Sequence, residues 1–146
     1  MRRSPVTSRA RALAEGALES GGDTAALNAF LGMLLARSND LDSAARHLKA
    51  AHDTRPADTT ISCNLIAVLI DKGDLAGALD VATPDLARAD ATLRIARYRG
   101  FVAQSLERFD EAIEAYESVV ARDETDFESW NNLGNARSAV GDLDGS

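Results

Sequence analysis

Two stretches of the sequence carry side chains whose types and spacing could bind a ligand. The first is a basic and aromatic stripe at helical spacing, made by Arg94, Arg97, Tyr98 and Phe101. Arginine can hold a carboxylate through two parallel hydrogen bonds, and arginine and aromatic side chains are typical interface anchors. The stripe therefore favours an acidic or C-terminal ligand segment. The alternative is that the aromatic residues pack internally and the arginines pair with Glu128 or other acids that follow.

The second stretch concentrates carboxamides, because Asn131, Asn132 and Asn135 lie within about one turn of a helix. An amide side chain both donates and accepts, so it can pair with a peptide backbone whatever the sequence bound. Asparagine is a mediocre helix former, and its recurrence here needs another reason. The alternative is that these residues are solvated polar side chains.

Other reactive side chains predict no catalytic or metal site. His47 and His52 are five residues apart, so they do not share a helix face as ligands spaced by four would. Cys63 has no histidine near it in the sequence pattern, and no glycine-rich phosphate loop is present. We therefore expect no metal, no cofactor and no enzymatic activity in these 146 residues.

Charge and composition exclude several classes of partner. The net charge of −7 argues against non-specific nucleic-acid binding, which needs a basic face. The start of the chain does not resemble a signal peptide, and no apolar run approaches the ~18 residues of a membrane span. A single cysteine allows no internal disulfide, which favours a reducing compartment. From these three observations together we expect a cytoplasmic protein that binds neither nucleic acid nor membrane.

The elements that must position these side chains follow a fixed period. Alanine is abundant and prolines number only three, which indicates an all-α protein. Similar turn triplets recur every 34 residues, and such a period is the signature of a stacked repeat protein. The first residues of these triplets are Asn39, Gly73, Glu107 and Gly141.

The period divides the chain into five parts: 1–24, an N-terminal segment with a half-repeat helix; three full repeats at 25–58, 59–92 and 93–126; and 127–146, the first helix of a truncated repeat. We expect Met1–Val6 to be loosely attached. In the second full repeat, Thr83 and Pro84 predict a break of the second helix, since proline removes a backbone donor.

The last repeat has its own expected boundaries. The sequence from Thr125 to Glu128 has capping-box form, which predicts a helix that begins near Phe127. That helix is expected to end at about Val140, where Gly141 would turn the chain. Because Ser146 stops in mid-repeat, we expect the chain to be part of something longer.

The columns of the repeat resemble the tetratricopeptide repeat (TPR) family. The pattern is clearest at Trp130, Leu133, Gly134, Gly141 and Leu143, and its register holds in the earlier windows. The resemblance implies a right-handed α-solenoid of antiparallel helix pairs, a TPR-like superhelix, in which these five residues are structural. Arg99 and Arg137 stand where apolar residues are usual, which predicts looser packing around them.

The resemblance also implies where a ligand would bind. In this family the first helices of successive repeats line a concave groove for extended peptides or partner helices. Chaperone-tail binders of the family use a set of basic and asparagine residues that is incomplete here, so no chaperone tail is predicted. The ligand-groove candidates, transferred by position, are Met33, Arg37, Asn64, Arg94, Arg97, Tyr98, Phe101, Asn131, Asn132 and Asn135.

These observations predict a non-catalytic scaffold that binds a protein or peptide segment in the concave groove. One alternative is the N-terminal, substrate-recruiting part of a larger bacterial sulfotransferase, glycosyltransferase or methyltransferase, since such enzymes carry similar repeats. A second alternative is a module that self-associates through its open C-terminal end.

Overall fold

Every regular element of the described chain is an α-helix, so the all-α prediction is confirmed. The computed structural model describes the backbone of residues 5–143 and the side chains of residues 8–141. Over residues 5–143, no helix is both long and apolar enough to cross a membrane. The helices, in order, are α1 (Pro5–Glu19), α2 (Thr24–Arg37), α3 (Leu41–Thr54), α4 (Thr59–Lys72), α5 (Leu75–Val81), α6 (Pro84–Ala89), α7 (Arg94–Ser105), α8 (Phe109–Arg122) and α9 (Phe127–Leu143).

The chain divides into two compact units, residues 1–73 and 74–146. In the first unit each helix packs against the next: α1 on α2, α2 on α3 and α3 on α4. In the second unit α7 contacts α5, α6 and α8, and α8 packs on α9. Short connections of this kind join antiparallel neighbours. The fully buried side chains include Leu31, Leu35 and Leu48 in the first unit and Ile95, Val102, Val119 and Leu133 in the second.

Aspartate side chains begin most of the helices by accepting hydrogen bonds from otherwise free backbone N–H groups. Asp23 accepts from Ala26 N at 3.1 Å, Asp58 from Ile61 N at 3.1 Å and Asp74 from Gly77 N at 3.0 Å. At the start of α9 the predicted capping box is wrong. Asp126 accepts from Ser129 N at 3.1 Å, whereas the Thr125 hydroxyl donates to Asp123 at 2.6 Å.

The repeated turns use a left-handed residue, as the period predicts. Asn39, Gly73 and Glu107 have φ values of 62°, 84° and 61°. The expectation fails at the fourth position, because α9 continues through Gly141 to Leu143. A helical glycine is only mildly unfavourable. After the turns at Asn39 and Glu107 the following helix packs back on the preceding one. Within the described residues no helix follows α9, so nothing there requires a turn at Gly141.

The predicted break at Pro84 is confirmed. The first piece, α5, ends at Val81, and Thr83 caps the second piece by accepting from Leu86 N at 3.2 Å. The ends of the two short helices, α5 and α6, leave carbonyls without helical partners, and arginine side chains bind some of them. Arg99 donates to the Ala82 carbonyl at 2.8 Å, and Arg122 donates to the carbonyls of Ala87 and Asp90 at 3.2 and 3.1 Å.

The expectation of looser packing around Arg99 is therefore wrong. Its side chain is only 12% exposed and also pairs with Glu111 at 3.4 Å. It occupies an apolar column because it binds the backbone that the proline has freed, and a buried carbonyl without a partner is unfavourable.

Two predicted helix boundaries also change. Pro5 and Val6 are helical rather than loosely attached, while residues 1–4 lie outside the described chain. The apolar periodicity of the sequence predicts a helix from Leu93 to Leu106, and α7 is one residue shorter at each end. Leu93 takes a left-handed conformation, and Asp90 caps α7 in its place by accepting from Ile95 N at 2.9 Å.

Glycines at equivalent repeat positions differ in what covers them, which gives a first prediction. A Cβ on Gly100 would lie 2.6 Å from the buried Tyr116 ring, whereas one on Gly134 would meet no atom within 4 Å. We expect Gly100→Ala to lower the free energy of unfolding by about 1–3 kcal/mol through overpacking. Gly134→Ala should raise it by about 0.5–1 kcal/mol through helix propensity. Urea titration of both variants measures this, and equal effects of the two substitutions would contradict the packing described.

Candidate functional site

In the first unit, large apolar side chains are exposed on α2. Phe30 is 45% and Met33 is 50% exposed, and Arg37 on the same helix is exposed as well. Asn64, on α4, is half-buried. Exposed phenylalanine and methionine side chains on one helix face are typical of a binding surface rather than of a solvated one. We call Phe30, Met33 and Asn64 the first-unit surface.

The second unit repeats this arrangement 68 residues later, at two repeat lengths. Tyr98 is half-buried and Phe101 is 50% exposed, at the positions equivalent to Phe30 and Met33. Asn132 on α9 is half-buried, at the position equivalent to Asn64. We call Tyr98, Phe101 and Asn132 the second-unit surface. The sequence-based selection omitted Phe30, although its 68-residue spacing from Tyr98 marks the same column.

Arg94 lies beside Tyr98 on the exposed side of α7. Its guanidinium carbon is 5.9 Å from the centroid of the Tyr98 ring, and its Nη2 donates to the Tyr98 hydroxyl at 3.4 Å. A guanidinium held over an aromatic face is attracted by the electrons of the ring. Both contacts join Arg94 to a side chain one helical turn away, on the exposed side of α7.

Arg97 is engaged within the protein. Its Nε donates to Asp126 Oδ2 at 2.6 Å, and its Nη1 donates to the Thr92 carbonyl at 3.2 Å. Burial alone would raise the pKa of Asp126, but the hydrogen bonds from Arg97 and Ser129 outweigh it and lower that pKa. Asp126 therefore stays ionised and ties α7 to the start of α9. The interpretation that the arginines pair with following acids applies to Arg97, with Asp126 rather than Glu128 as its partner.

The asparagines of α9 lie away from its buried side. Asn131 and Asn135 are exposed, while Leu133 and Ala136 on the opposite side are buried in the unit. Their amide groups are accessible to a peptide backbone. The structure therefore brings a stripe of carboxamides to the surface of α9, next to the helix end that Arg97 holds.

Trp130 departs from its expected structural role. It is 44% exposed, and its indole N–H donates to the Glu124 carbonyl at 3.1 Å. Together with Val120, Ala121 and Leu133 it lines an open groove of about 580 Å³ between α8 and α9. The repeat pattern assigned Trp130 a structural role and did not show that it lines an open groove.

A serine and a histidine that meet in the first unit have a structural explanation. Ser62 Oγ lies 3.2 Å from His52 Nδ1 and donates to the Asp58 carbonyl at 3.1 Å. The Ser62 hydroxyl is thus hydrogen-bonded at the start of α4 to both a backbone carbonyl and the His52 ring. Ser62 is fully buried, so this pair stabilises the start of α4 and cannot attack a substrate. Cys63 beside it is buried too.

Solved structures of repeat proteins share this fold. The crystal structure of MamA superimposes with a TM-score of 0.79 at 17% identity, covering 92% of this chain and 79% of that one. The first TPR of Spaghetti (RPAP3), bound to the HSP90 peptide SRMEEVD, gives 0.69 at 19% identity, with 81% and 94% covered. YrrB, described as a TPR protein with an unusual peptide-binding site, gives 0.71 at 19% identity, with 86% and 65% covered. No protein-family model matches the sequence, and no curated protein is significantly similar to it.

The double role of Asp126 generates a prediction about stability. Asp126→Ala removes both the N-cap of α9 and the partner of Arg97, and we expect a loss of about 2 kcal/mol in the free energy of unfolding. Asp126→Asn keeps an oxygen for the cap and should lose about half as much. Arg97→Gln is the matched control, and it should lose about as much free energy of unfolding as Asp126→Asn. Thermal unfolding checks the series, and an alanine variant no less stable than the asparagine variant would contradict the double role.

Proposed function

Taking the tetratricopeptide-repeat fold as the premise, we propose that this chain is a non-catalytic protein-interaction module. It binds an extended segment of a partner protein on the exposed faces of its first helices. The first-unit surface and the second-unit surface are each a binding site for a short stretch of extended peptide. Fold alone does not assign this role, so the proposal depends on the side chains that each unit exposes.

One observation carries the proposal: the two units present the same combination of side chains. Each has two large side chains one turn apart on its first helix: Phe30 and Met33 are both exposed, and Tyr98 is half-buried beside the exposed Phe101. Each adds an asparagine at the same repeat position on the next first helix of the repeats. Exposed apolar side chains are unfavourable in water unless a partner covers them, so their repetition supports recognition of a partner.

The chemistry of these side chains indicates what they recognise. An apolar side chain of the ligand packs against the aromatic residue, which provides the anchor. The asparagine pairs with the backbone of the ligand because its amide offers both a donor and an acceptor. In the second unit, Arg94 beside Tyr98 adds a site for a carboxylate. The preferred ligand is therefore an extended peptide with apolar residues and an acidic residue or C-terminus.

The fold neighbours support the class of ligand. The RPAP3 repeat is bound to a peptide that contains acidic residues, and YrrB is described as having a peptide-binding site. Those ligands belong to those proteins. For this chain the proposal is restricted to an extended peptide, and it excludes a preference for the chaperone tail.

The proposal is tested with peptides selected from a random library displayed on phage and then synthesised. Binding of a selected peptide, measured by fluorescence anisotropy, should weaken about 10-fold or more in the Tyr98→Ala/Phe101→Ala variant, since anchor residues dominate interface energies. Phe30→Ala/Met33→Ala tests the first unit in the same way. Arg94→Glu should weaken the binding of peptides with acidic residues and leave the binding of neutral peptides unchanged.

The matched control for these variants is Leu13→Ala, which removes an apolar side chain that is 69% exposed on α1. It should leave affinity unchanged. Two results would contradict the proposal: a library that yields no peptide, or peptides whose affinity is unchanged by both double variants while the helical content is intact.

A further inference from the structure

A cavity of about 180 Å³ lies between α6, α7 and α8 of the second unit. These helices are internal to the repeats, since α5 precedes them in the chain and α9 follows them. The apolar part of the wall is formed by Pro84, Ala87, Ala96 and Ala115. A cavity of about 150 Å³ can hold a molecule the size of benzene, so this one has room for a ligand of about six non-hydrogen atoms.

The small size of two side chains explains why there is room at this place. Ala96 and Ala115 follow Asn28 and His47 by two repeat lengths, so the two pairs stand at equivalent repeat positions. In the first unit Asn28 Oδ1 and His47 Nδ1 lie 2.9 Å apart, and these side chains join α2 to α3. In the second unit the two alanines leave that space open between α7 and α8. A space that side chains do not fill lowers stability, so a ligand that fits it is stabilising.

Arg99 lines the cavity with a positive charge that the protein balances only in part. Its side chain is 12% exposed, and its one carboxylate partner among the described residues, Glu111, lies at 3.4 Å. Glu111 also pairs with Arg108 at 2.7 Å, so two guanidinium groups share one carboxylate. A mostly buried charge that is incompletely balanced is unfavourable, and it attracts an anion.

Ser118 adds a neutral donor to the same cavity. Its side chain is half-buried, and its hydroxyl makes no hydrogen bond to any residue in the described part of the chain. The two charged residues that complete the lining, Arg88 and Glu114, are exposed, so water screens their charges more strongly than that of Arg99. The Arg99 guanidinium and the Ser118 hydroxyl therefore determine which ligand charge the cavity prefers.

We propose that this cavity binds a small carboxylate that has a short aliphatic chain. The carboxylate accepts hydrogen bonds from Arg99 and Ser118, and the chain packs against the proline ring and the alanine methyl groups. An inorganic anion is disfavoured, because its other oxygens would lose water against an apolar wall. The inference does not depend on peptide binding, since none of the residues that line the cavity belongs to the second-unit surface.

Butyrate, titrated into the whole 146-residue chain labelled with ¹³C at its alanine methyl groups, tests the inference. We expect saturable shifts of the methyl signals of Ala87, Ala96 and Ala115, with a dissociation constant in the millimolar range because the ligand is small. Butylamine, which has a chain of the same length and the opposite charge, should leave these signals unchanged, and so should inorganic phosphate. Ser118→Ala should raise the dissociation constant about 10-fold, because it removes a hydrogen bond to a charged group.

The double variant Ala96→Asn/Ala115→His introduces the side chains of the first unit and should abolish the shift of the remaining Ala87 signal. Circular dichroism checks its helical content, and Ser118→Ala, which removes only a hydroxyl, provides the test if the double variant does not fold.

Tyr98→Ala/Phe101→Ala is the control for the second-unit surface and should bind butyrate as the wild type does. Loss of butyrate binding in that control would overturn the inference, because it would place the site on the other surface. An absence of saturable shifts, equal shifts with butylamine or phosphate, or an affinity that Ser118→Ala leaves unchanged would also overturn it.

Discussion

The close approach of paired helices at glycine positions is the constraint on which each unit depends. At Gly32 and Gly100 there is no room for a side chain, because Leu48 and Tyr116 occupy that space. A bulky residue on one helix and a glycine on its neighbour fix the register and the rotation of the two helices relative to each other. Which side chains point to solvent on α2 and α7 follows from that register. The exposed aromatic residues are thus a consequence of packing elsewhere.

The broken helix of the second unit shows how the fold accommodates a proline without losing backbone hydrogen bonds. Thr83 caps the new helix, and Arg99 and Arg122 bind carbonyls on either side of the break. The Arg99 side chain is only 12% exposed, and a charged group rarely lies at such a position unless its donors have acceptors, which the backbone supplies here. The proline and the two arginines are therefore best understood as one structural feature.

Sequence reasoning recovered the fold because its signals are local and repeated. The 34-residue period, the aspartate caps and the left-handed turns predicted the order of the helices and most of their boundaries. Sequence reasoning failed at positions whose structure depends on contacts between helices. Gly141 was predicted as a turn, but α9 continues through it to Leu143. Arg99 was read as a packing defect, because a spacing pattern cannot show that a carbonyl in another helix needs a donor.

The candidate site was predictable in part. Repeat position identified which side chains share a column, and the exposure of Met33, Phe101 and the α9 asparagines agrees with a surface role. The sequence alone could not show which charged side chains pair with each other. Arg97 was therefore selected as a ligand-groove candidate, although it pairs with Asp126. The open face at Trp130 was also missed, because a consensus residue was assumed to be covered. For both Arg97 and Trp130, the sequence did not show which atoms lie next to the side chain in the folded protein.

Amide chemical shifts of the isotope-labelled chain, recorded while a selected peptide is added, test the central claim most directly. The account predicts shifts at the exposed faces of α2 and α4 in the first unit and of α7 and α9 in the second, around Phe30, Asn64, Tyr98 and Asn132. Shifts concentrated on α1, α3 or α8, with these faces unchanged, would contradict it.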